Sequence, residues 1–253
     1  MSPGMNKDRL QQEHYDEIQT DYEAHYDDLC SQAYRNRFIY EPMLDGLDLA
    51  GATVLEAMCG SGQVTQYLLS RGARVTGLDI SKQQILSFRD RWPGCDATCA
   101  SIYASGLETA SFDCAVVVGG LHHTQPNVSD AILEIHRILR PGGSLCFAEP
   151  HRGSLPDLVR RFWYKHDRLF LENEESVDVE AVMGEFASRF DFRSTRYAGN
   201  LAYLFVLNSM VFRIPVRLKR FYTPALLALE AALRPIQGKP TACMVLARWV
   251  KRG

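Results

Sequence analysis

The sequence lacks any apolar run long enough to cross a membrane. No stretch of about 18 charge-free apolar residues occurs, which argues against a spanning helix. The first residues, MSPGMNKDRLQQEHYDEIQ, are polar and do not have the pattern of a signal peptide. We therefore expect a cytoplasmic protein. Its 253 residues, 46% of them hydrophobic, suffice for one large domain or one domain with an appendage.

A cysteine framework is also missing. The seven cysteines are odd in number and scattered, and most lie inside apolar runs, as Cys114 and Cys146 do. We expect reduced thiols in the core, as in a cytoplasmic protein. Cys95 and Cys99 have CxxxC spacing, but no second pair and no nearby histidine completes a zinc site, so we expect no metal.

Acidic residues are nearly absent from the C-terminal quarter of the sequence. The net charge is −2, yet residues 193–253 carry 11 Lys and Arg and only one acid, Glu230. Residues 1–192 carry the remaining 17 basic and 29 acidic residues. This asymmetry predicts either that the C-terminal segment meets an anionic partner or that it packs on the chain's own acidic part.

Short apolar runs alternate with helical patterns through the middle of the sequence. Four runs are typical of buried strands: 53–58, 74–80, 113–120 and 144–150. Helical patterns lie between them at 62–71, 81–91 and 128–139, and Ser81 is a candidate N-cap for the second. Strands that alternate with helices predict an α/β fold whose parallel sheet has helices on both faces.

The flanking segments have looser patterns. Residues 14–29 are polar and tyrosine-rich, and Tyr15, Tyr22 and Tyr26 share one face of a predicted helix. After residue 150 we predict helices at 154–170 and 176–189 and two further strands at 190–198 and 241–250. The intervening residues 199–237 are apolar and basic, and we predict helices there.

A glycine turn, 55-LEAMCGSGQ-63, follows the first predicted strand. A strand, a glycine turn and a helix N-terminus together form a site for a nucleotide-like ligand. The dinucleotide fingerprint requires a third glycine at position 65, where the sequence has Thr65, and a P-loop requires Gly-Lys-Ser/Thr, which is absent. Both patterns disfavour a bound phosphate.

Two acids narrow the choice of ligand. Glu56 ends the first strand, where a carboxylate would repel a pyrophosphate and attract a cation. Asp79 ends the second strand, where an acid can accept hydrogen bonds from ribose hydroxyls. A nucleoside with a positive charge and no phosphate suits this pair, and S-adenosylmethionine is such a molecule.

Four motifs in order resemble the class I S-adenosylmethionine-dependent methyltransferases, especially their broad small-molecule group. They are VLEAMCGSGQ, GLDIS, 111-SFDCAVVVGGLHHT-124 and 137-RILRPGGSLCFAEP-150, and together they cover roughly residues 50–150. The resemblance implies a Rossmann-like, doubly wound, mostly parallel seven-stranded sheet. It also implies an N-terminal helical cover over residues 1–48 and a methyltransferase domain over 49–253, with a helical lid insertion at about 199–237.

The resemblance also implies roles for individual residues. The expected cofactor contacts are Glu56, Ala57, Gly60 and Gly62 at the methionine part, Asp79 at the ribose, Ile80 beside the adenine and Gly119 at the end of strand four. Many relatives have an acid after strand three. Here Ser101 and Ile102 stand near that place, and we expect them at the adenine instead. Tyr15, Tyr22 and Tyr26 resemble an N-terminal aromatic cover over the cofactor, in which we expect Tyr26 at the cofactor and Tyr22 at the substrate, with ordinary amphipathic packing as the alternative.

Histidines are the candidate catalytic residues. His122 and His123 directly follow strand four, at the sheet edge where ligands bind in open α/β folds, and histidine titrates near neutral pH. Either one is a candidate general base for a hydroxyl acceptor, and the alternative is a loop residue with satisfied hydrogen bonds. His151 follows strand five and is predicted either to contact the substrate or to cap a helix.

The C-terminal segment bears on the acceptor. In 201-LAYLFVLNSMVFRIPVRLKRFY-222 an apolar stretch runs into several basic residues, and a mostly apolar helix is predicted at 225–236. An apolar lid over a hydrophobic acceptor, contact with an anionic membrane surface, and a core helix pair with solvated arginines are all compatible with this pattern. Asn208 and the segment's length argue against a membrane span.

We predict that the protein transfers a methyl group from S-adenosylmethionine to a small hydrophobic acceptor, preferably at oxygen or nitrogen. One alternative is an acceptor held in a membrane, such as a quinone or glycolipid. Another is a protein that binds the cofactor without transferring the methyl group. Nucleic acid is not expected as a partner, because the N/D-P-P-Y/F motif is absent and the basic segment is more apolar than a groove binder.

Overall fold

The computed structural model of the chain describes residues 26–164 and 175–253. The strands are Thr53–Ala57 (β1), Arg74–Asp79 (β2), Asp96–Cys99 (β3), Phe112–Val118 (β4), Leu139–Pro150 (β5), Phe190–Ala198 (β6) and Met244–Lys251 (β7). They form a seven-stranded sheet in the order β3-β2-β1-β4-β5-β7-β6. The first five strands run parallel, and β7 is antiparallel to both of its neighbours. The predicted mostly parallel sheet is confirmed.

Helices connect the strands. The α-helices are Leu29–Arg35 (α1), Glu41–Leu44 (α2), Thr65–Ser70 (α3), Lys82–Arg91 (α4), Val128–Ile138 (α5), Leu155–Tyr164 (α6), Val179–Phe186 (α7) and Val216–Leu233 (α8). Two π-helical segments, Asn36–Tyr40 and Tyr203–Leu207, and two 3-10 turns, Leu121–Thr124 and Arg234–Ile236, complete the described elements. The N-cap expected at Ser81 is present, since the Ser81 hydroxyl accepts a hydrogen bond from the Gln84 N–H (3.2 Å).

The core lies on both faces of the sheet. Neighbouring strand residues such as Val54 and Leu55 are both fully buried but belong to two different clusters, because side chains alternate along a strand. The first cluster contains side chains of α1, α3 and α4, including the fully buried Phe88, and the second contains those of α5 and α7. Burial of a side chain such as Phe88 contributes about 1.5–3 kcal/mol. Helices on both faces therefore cover the sheet, as predicted.

Two strands differ from the sequence pattern. The short strand β3 is mostly half-buried or exposed, so it has no apolar run by which it could be recognised. Strand β5 begins at Leu139, directly after α5, so the Pro/Gly stretch at 140–143 lies inside the strand. The register of β5 with β4 shifts between Phe112 and Cys114. All seven cysteines are free thiols, and four of them are buried: Cys59, Cys114, Cys146 and Cys243.

The C-terminal helix α8 packs against the first helix of the described chain. Lys219 of α8 is fully buried, and its ammonium donates to the carboxylate of Asp28 (2.6 Å) and to the hydroxyl of Ser31 (2.8 Å). Asp28 is also the N-cap of α1. Tyr222 and Leu226 of α8 pack on the first core cluster. The inner face of α8 therefore belongs to the core, as one of the sequence-based alternatives proposed.

Much of the C-terminal positive charge is neutralised within the chain. Five ion pairs cross from this segment to acids elsewhere in the described residues: Arg193–Asp191, Arg196–Asp45, Lys219–Asp28, Lys239–Glu180 and Arg252–Asp191. Arg217 and Arg220 of α8 differ, because no acidic side chain of residues 26–164 or 175–253 forms an ion pair with them. Packing on the chain's own acids therefore accounts for part of the charge asymmetry. In the described ranges, no helix is both long enough and apolar enough to cross a membrane.

Candidate functional site

An open cavity lies at the carboxyl ends of β1, β2 and β4, and the empty space in it and in its mouth, which is open to solvent, is about 1210 Å³. Five of the predicted cofactor contacts from the first two strands line it: Glu56, Ala57, Gly60, Asp79 and Ile80. Four further predicted residues line it from the loops after β3 and β4: Ser101, Ile102, Gly119 and His123. The structure therefore brings nine of the predicted residues to one cavity, although their roles there stay predictions.

The glycine turn is tied to the end of β2 through Asp79. The Gly60 N–H donates to Asp79 Oδ2 (2.9 Å), and the Ser81 N–H donates to Oδ1 of the same carboxylate (2.9 Å). Gly60 has a φ of +53°, a conformation that L side chains rarely adopt. Asp79 thus holds the turn and the N-terminus of α4 in place while its carboxylate lines the cavity.

Glu56 is almost fully buried at the cavity wall, with 2% of its surface exposed. Its carboxylate accepts hydrogen bonds from the Val64 N–H (2.9 Å) and from the Thr65 hydroxyl. Burial raises the pKa of Glu56 to about 7, although these two hydrogen bonds oppose the shift. Thr65 stands where a dinucleotide fingerprint has its third glycine, and its hydroxyl stabilises the ionised form of Glu56. An ionised Glu56 disfavours a phosphate ligand.

Gly62 serves the packing of the turn and does not line this cavity. A Cβ at Gly62 would lie 2.4 Å from Nε1 of Trp92, and the Gly62 φ is +86°. Trp92 in turn donates from its indole N–H to the Ser61 carbonyl (3.1 Å). Gly62 lines a second, open cavity beside the buried Arg35, whose guanidinium donates to Gln63 Oε1 (2.9 Å).

The two candidate catalytic histidines are placed differently. Both lie in the 3-10 turn Leu121–Thr124, but only His123 lines the cavity. Nδ1 of His122 lies 2.8 Å from Oε2 of Glu149, and the two histidine ring centroids are 3.8 Å apart. Burial, with a smaller contribution from Arg160, lowers the pKa of His122 to about 3. The neutral His122 therefore contacts Glu149 beneath the turn.

His151 and Tyr26 also lie away from the cavity wall. His151 is 3% exposed, its Nε2 lies 3.0 Å from the Lys239 carbonyl oxygen, and its ring packs against Tyr197 (4.9 Å between centroids). The Tyr26 hydroxyl donates to Oδ1 of Asn208 (3.0 Å), which joins the N-terminal region to the C-terminal segment. Tyr15 and Tyr22, the other predicted members of the aromatic cover, lie outside the described residues.

Gln84 and Glu149 were not identified from the sequence. Gln84 lies in the first turn of α4 and lines the cavity, and its buried Oε1 has no hydrogen-bond partner in the described part of the chain. Glu149 is fully buried at the end of β5. The position of Gln84, five residues after Asp79 and one helical turn past the N-cap, was the available signal for it. A single acid in an otherwise apolar strand was the signal for Glu149.

The charge of the cavity wall favours a cationic nucleoside over a ligand with a phosphate. No Lys or Arg of the described chain lines it, while the carboxylates of Glu56 and Asp79 do. A bound phosphate would therefore meet two acids and no cation, whereas a cationic nucleoside would meet complementary charge. Within the same described ranges, no group of three or more His, Cys, Asp and Glu side chains is placed to hold a metal ion.

Comparison with known proteins agrees with this geometry. Residues 55–147 match the family model described as a methyltransferase domain. A malonyl-[acyl-carrier protein] O-methyltransferase from Salmonella typhimurium is 34% identical over 131 residues, which cover 50% of this chain and 51% of that protein. Residues 55–147 are therefore similar to the methyltransferase domain of such proteins. The chain spans about half the length of the curated relatives it matches.

Solved structures share the fold of this chain. An S-adenosylmethionine-dependent methyltransferase from Thermotoga maritima, described as a possible histamine N-methyltransferase, has a TM-score of 0.65 and 18% identity, with 95% of this chain and 99% of that one covered. The N-methyltransferase NodS from Bradyrhizobium japonicum, solved with S-adenosyl-L-homocysteine, has a TM-score of 0.56 and 18% identity, with 90% of both chains covered. At these identities the likeness concerns the fold.

The residues of the cavity fit S-adenosylmethionine, the molecule that the sequence motifs predict. The cofactor has a ribose, a primary amine and a positively charged sulfonium, and it lacks phosphate. The two acids without opposing Lys or Arg suit its charge, and the buried acceptor Oε1 of Gln84 suits a hydrogen-bond donor. Gly119 has no heavy atom within 4 Å of an ideal Cβ, which leaves open space at the end of β4.

Proposed function

We propose that this protein is a methyltransferase that transfers the methyl group of S-adenosylmethionine to a small hydrophobic acceptor, with oxygen preferred over nitrogen. The observation that carries the proposal is the acid-lined cavity, to which residues 26–164 and 175–253 contribute no Lys or Arg, with His123 at its β4 side. The preference for oxygen is supported by the relatives named as O-methyltransferases. Their identity with this chain extends over only half of each protein, so the acceptor itself is assigned by class alone.

In this proposal each cavity residue has a defined task. Glu56 and the backbone of the glycine turn bind the cationic amino-acid end of the cofactor. The Asp79 carboxylate accepts hydrogen bonds from the ribose hydroxyls, and Ser101 and Ile102 flank the adenine. Gly119 leaves room for close approach at the end of β4. When bound, the cofactor supplies an electrophilic methyl group, and the protein contributes by positioning the nucleophile and excluding water.

His123 is the proposed general base. It is the histidine of the turn that lines the cavity, whereas His122 contacts Glu149. Methylation of a hydroxyl acceptor would release the hydroxyl proton as the sulfonium–methyl bond of the cofactor breaks, and a positioned imidazole can accept such a proton near neutral pH. A neutral amine needs no base before attack. Dependence on His123 therefore distinguishes the two kinds of acceptor.

The first test is calorimetric titration of the full chain with S-adenosylmethionine and, separately, with NADH. Micromolar binding of the first and none of the second is the expected result. Asp79→Asn serves as the site variant, and Asp90→Asn, at an exposed position of α4, serves as the matched control. Binding of NADH in preference to S-adenosylmethionine would contradict the proposal. A positive result leads to an acceptor screen with apolar alcohols, carboxylic acids and amines.

A second candidate function has the acceptor held in a membrane, and the outward face of α8 favours it. This face carries Leu218, Phe221 and Leu229, which are 43%, 70% and 39% exposed. The exposed Arg217 and Arg220 lie beside them, and the Arg220 guanidinium stacks on the Phe221 ring at 4.7 Å. The one acid of α8, Glu230, is buried. An apolar, cationic face without acids suits the surface of an anionic bilayer.

Co-sedimentation with vesicles tests this second candidate. The wild-type chain is expected to bind anionic phosphatidylglycerol vesicles at low salt and not to bind neutral phosphatidylcholine vesicles. Arg217→Glu combined with Arg220→Glu should abolish binding. The control combines Lys82→Glu with Arg193→Glu, which makes the same charge change at exposed sites outside α8 and should bind as the wild type does. If the wild-type chain does not bind anionic vesicles at low salt, the membrane-held acceptor is rejected.

A further inference from the structure

Three consecutive backbone N–H groups after β4 converge on one buried carboxylate. Oε1 of Glu149 accepts hydrogen bonds from the N–H of Gly120 (2.8 Å) and of Leu121 (2.8 Å). Oε2 accepts from the N–H of His122 (3.3 Å). Glu149 is 0% exposed, so the protein itself must satisfy all of these groups. The 3-10 turn that contains both histidines is therefore built around this side chain.

The hydrogen-bond pattern favours an ionised Glu149. Successive backbone N–H groups that point into one concavity form an anion-binding nest, and an ionised carboxylate only accepts hydrogen bonds. Burial raises the pKa of Glu149 to about 7, while the N–H groups of Leu121 and Gly120 and the charge of His123 act in the opposite direction. Above about pH 7 the carboxylate is then the anion that holds the turn.

A fourth donor fixes the state of His122. Nδ1 of His122 lies 2.8 Å from Oε2 of Glu149. Since an ionised carboxylate can only accept, a neutral His122 must carry its proton on Nδ1 to form this hydrogen bond. The His122 ring in turn lies against the ring of His123, with 3.8 Å between centroids and 40° between planes. A continuous series of contacts therefore runs from Glu149 through His122 to His123.

We propose that Glu149 is a positioning residue for His123, and that it acts by holding the 3-10 turn and by fixing His122 in its Nδ1–H tautomer. Glu149 itself is absent from the cavity wall, so it acts through the turn and through His122. The inference rests on the proposed function only where it treats His123 as the group beside the acceptor. The tautomer of His122 is independent of any activity.

Nitrogen-15 NMR of the histidine-labelled protein at about pH 8 tests this tautomer directly. In the wild type, His122 is expected to be neutral with its proton on Nδ1. Assignment uses single substitutions of the seven histidines. His136 is the internal reference, because its ring packs edge-on against Phe190 at 5.1 Å and has no contact with Glu149. A proton on Nε2 of wild-type His122 would overturn the proposal without any variant.

Glu149→Gln adds a second, sharper test. A glutamine offers a single acceptor oxygen, which the N–H groups of Gly120 and Leu121 occupy, and it presents an NH2 group to His122. His122 must then accept at Nδ1, so its proton is expected on Nε2 and the His123 resonances should shift. Glu180→Gln, at a carboxylate that bonds Tyr197 and Lys239, should leave both histidines unchanged.

Each outcome has a distinct meaning. If Glu149→Gln folds and both histidines keep their wild-type resonances, Glu149 does not position His123 and the proposal fails. If this variant does not fold, the wild-type tautomer decides, together with His122→Asn. That variant keeps an N–H donor for Glu149 but removes the ring against His123, so a shift of His123 is expected. Failure to bind S-adenosylmethionine would overturn the proposed function and leave the tautomer result standing.

Discussion

Gly60 and Asp79 are joined across the gap between two neighbouring strands. The Gly60 N–H donates to Oδ2 of Asp79 over 2.9 Å, so a hydrogen bond connects the turn after β1 to the end of β2. The same carboxylate also accepts from the Ser81 N–H at the start of α4. The Asp79 carboxylate thus holds the glycine turn, accepts a hydrogen bond from the N-cap residue of α4 and lines the cavity. A change at Asp79 should affect both stability and ligand binding.

Asp79→Asn is expected to lower the affinity for S-adenosylmethionine at least about tenfold, or about 1.4 kcal/mol. The amide keeps one acceptor oxygen for a backbone N–H, so the loss of folding stability should stay near about 1 kcal/mol. Calorimetry and urea denaturation measure the two effects separately. An unchanged dissociation constant would refute the role of Asp79 at the ribose.

His123→Ala should reduce turnover of a hydroxyl acceptor by about 10²–10⁴-fold, the usual contribution of a general base. The affinity for S-adenosylmethionine should change by less than about threefold, since the predicted base acts on the acceptor. His136→Ala is the matched control, at a histidine of α5 outside the cavity. Full activity of His123→Ala would remove this residue as the base and favour an amine acceptor.

Cofactor binding should become tighter as the pH rises through about 7. Burial raises the pKa of Glu56 to about 7, and a cationic ligand interacts more favourably with the ionised carboxylate. Binding should therefore release protons, which titrations in buffers of different ionisation enthalpy detect. Glu56→Gln should remove the proton release. Affinity that is independent of pH between about 6 and about 7.5 would speak against contact between Glu56 and the cation.

Without ligand, the same group acts on stability with the opposite sign. The folded Glu56 keeps its proton up to about pH 7, whereas the unfolded side chain loses it near its ordinary pKa of 4.5. Between these values the folded state binds more protons, so the contribution of Glu56 to stability falls as the pH rises. Urea denaturation of the wild type and of Glu56→Gln across this window isolates the contribution.

Two glycine substitutions should have opposite effects. Gly62→Ala should destabilise the fold by about 1–3 kcal/mol, because the new Cβ meets Trp92 and the backbone φ is +86°. Gly184→Ala should stabilise it by about 0.5–1 kcal/mol, since Gly184 lies inside α7 with no heavy atom within 4 Å of an ideal Cβ. Urea denaturation of both variants checks the signs. If both variants changed the free energy of unfolding equally, the predicted clash between a Cβ at Gly62 and Trp92 would be rejected.

Apolar runs and turn residues made most of the sheet predictable. Strands β1 and β4 each have a run of four buried residues, and the ends of β1, β2 and β4 carry the glycines and acids that the structure brings to one cavity. Strand β3 escaped this reasoning because it is short and only partly buried. Its existence follows from pairing with β2, which is a long-range relationship rather than a local pattern.

The two adjacent histidines show where sequence reasoning ends. His122 and His123 have the same side chain and the same local sequence, yet only His123 lines the cavity while His122 contacts Glu149. The difference comes from the Glu149 carboxylate, which lies on β5, 27 residues after His122 in the sequence. Likewise, the contact of Tyr26 with Asn208 spans 182 residues. No spacing rule within one segment contains such information.

The position of β7 has a consequence for synthesis on the ribosome. In the described sheet, β6 pairs only with β7, yet β7 is made later, after the whole of α8. While the chain emerges, β5 and β6 therefore both present unpaired strand edges, which are the sites at which nascent chains associate wrongly. Insertion of β7 between them closes both edges at once. The sheet between β5 and β6 is therefore completed only after β7 has been synthesised. A pause in translation between α8 and β7 would lengthen the time during which the unpaired strand edges can aggregate.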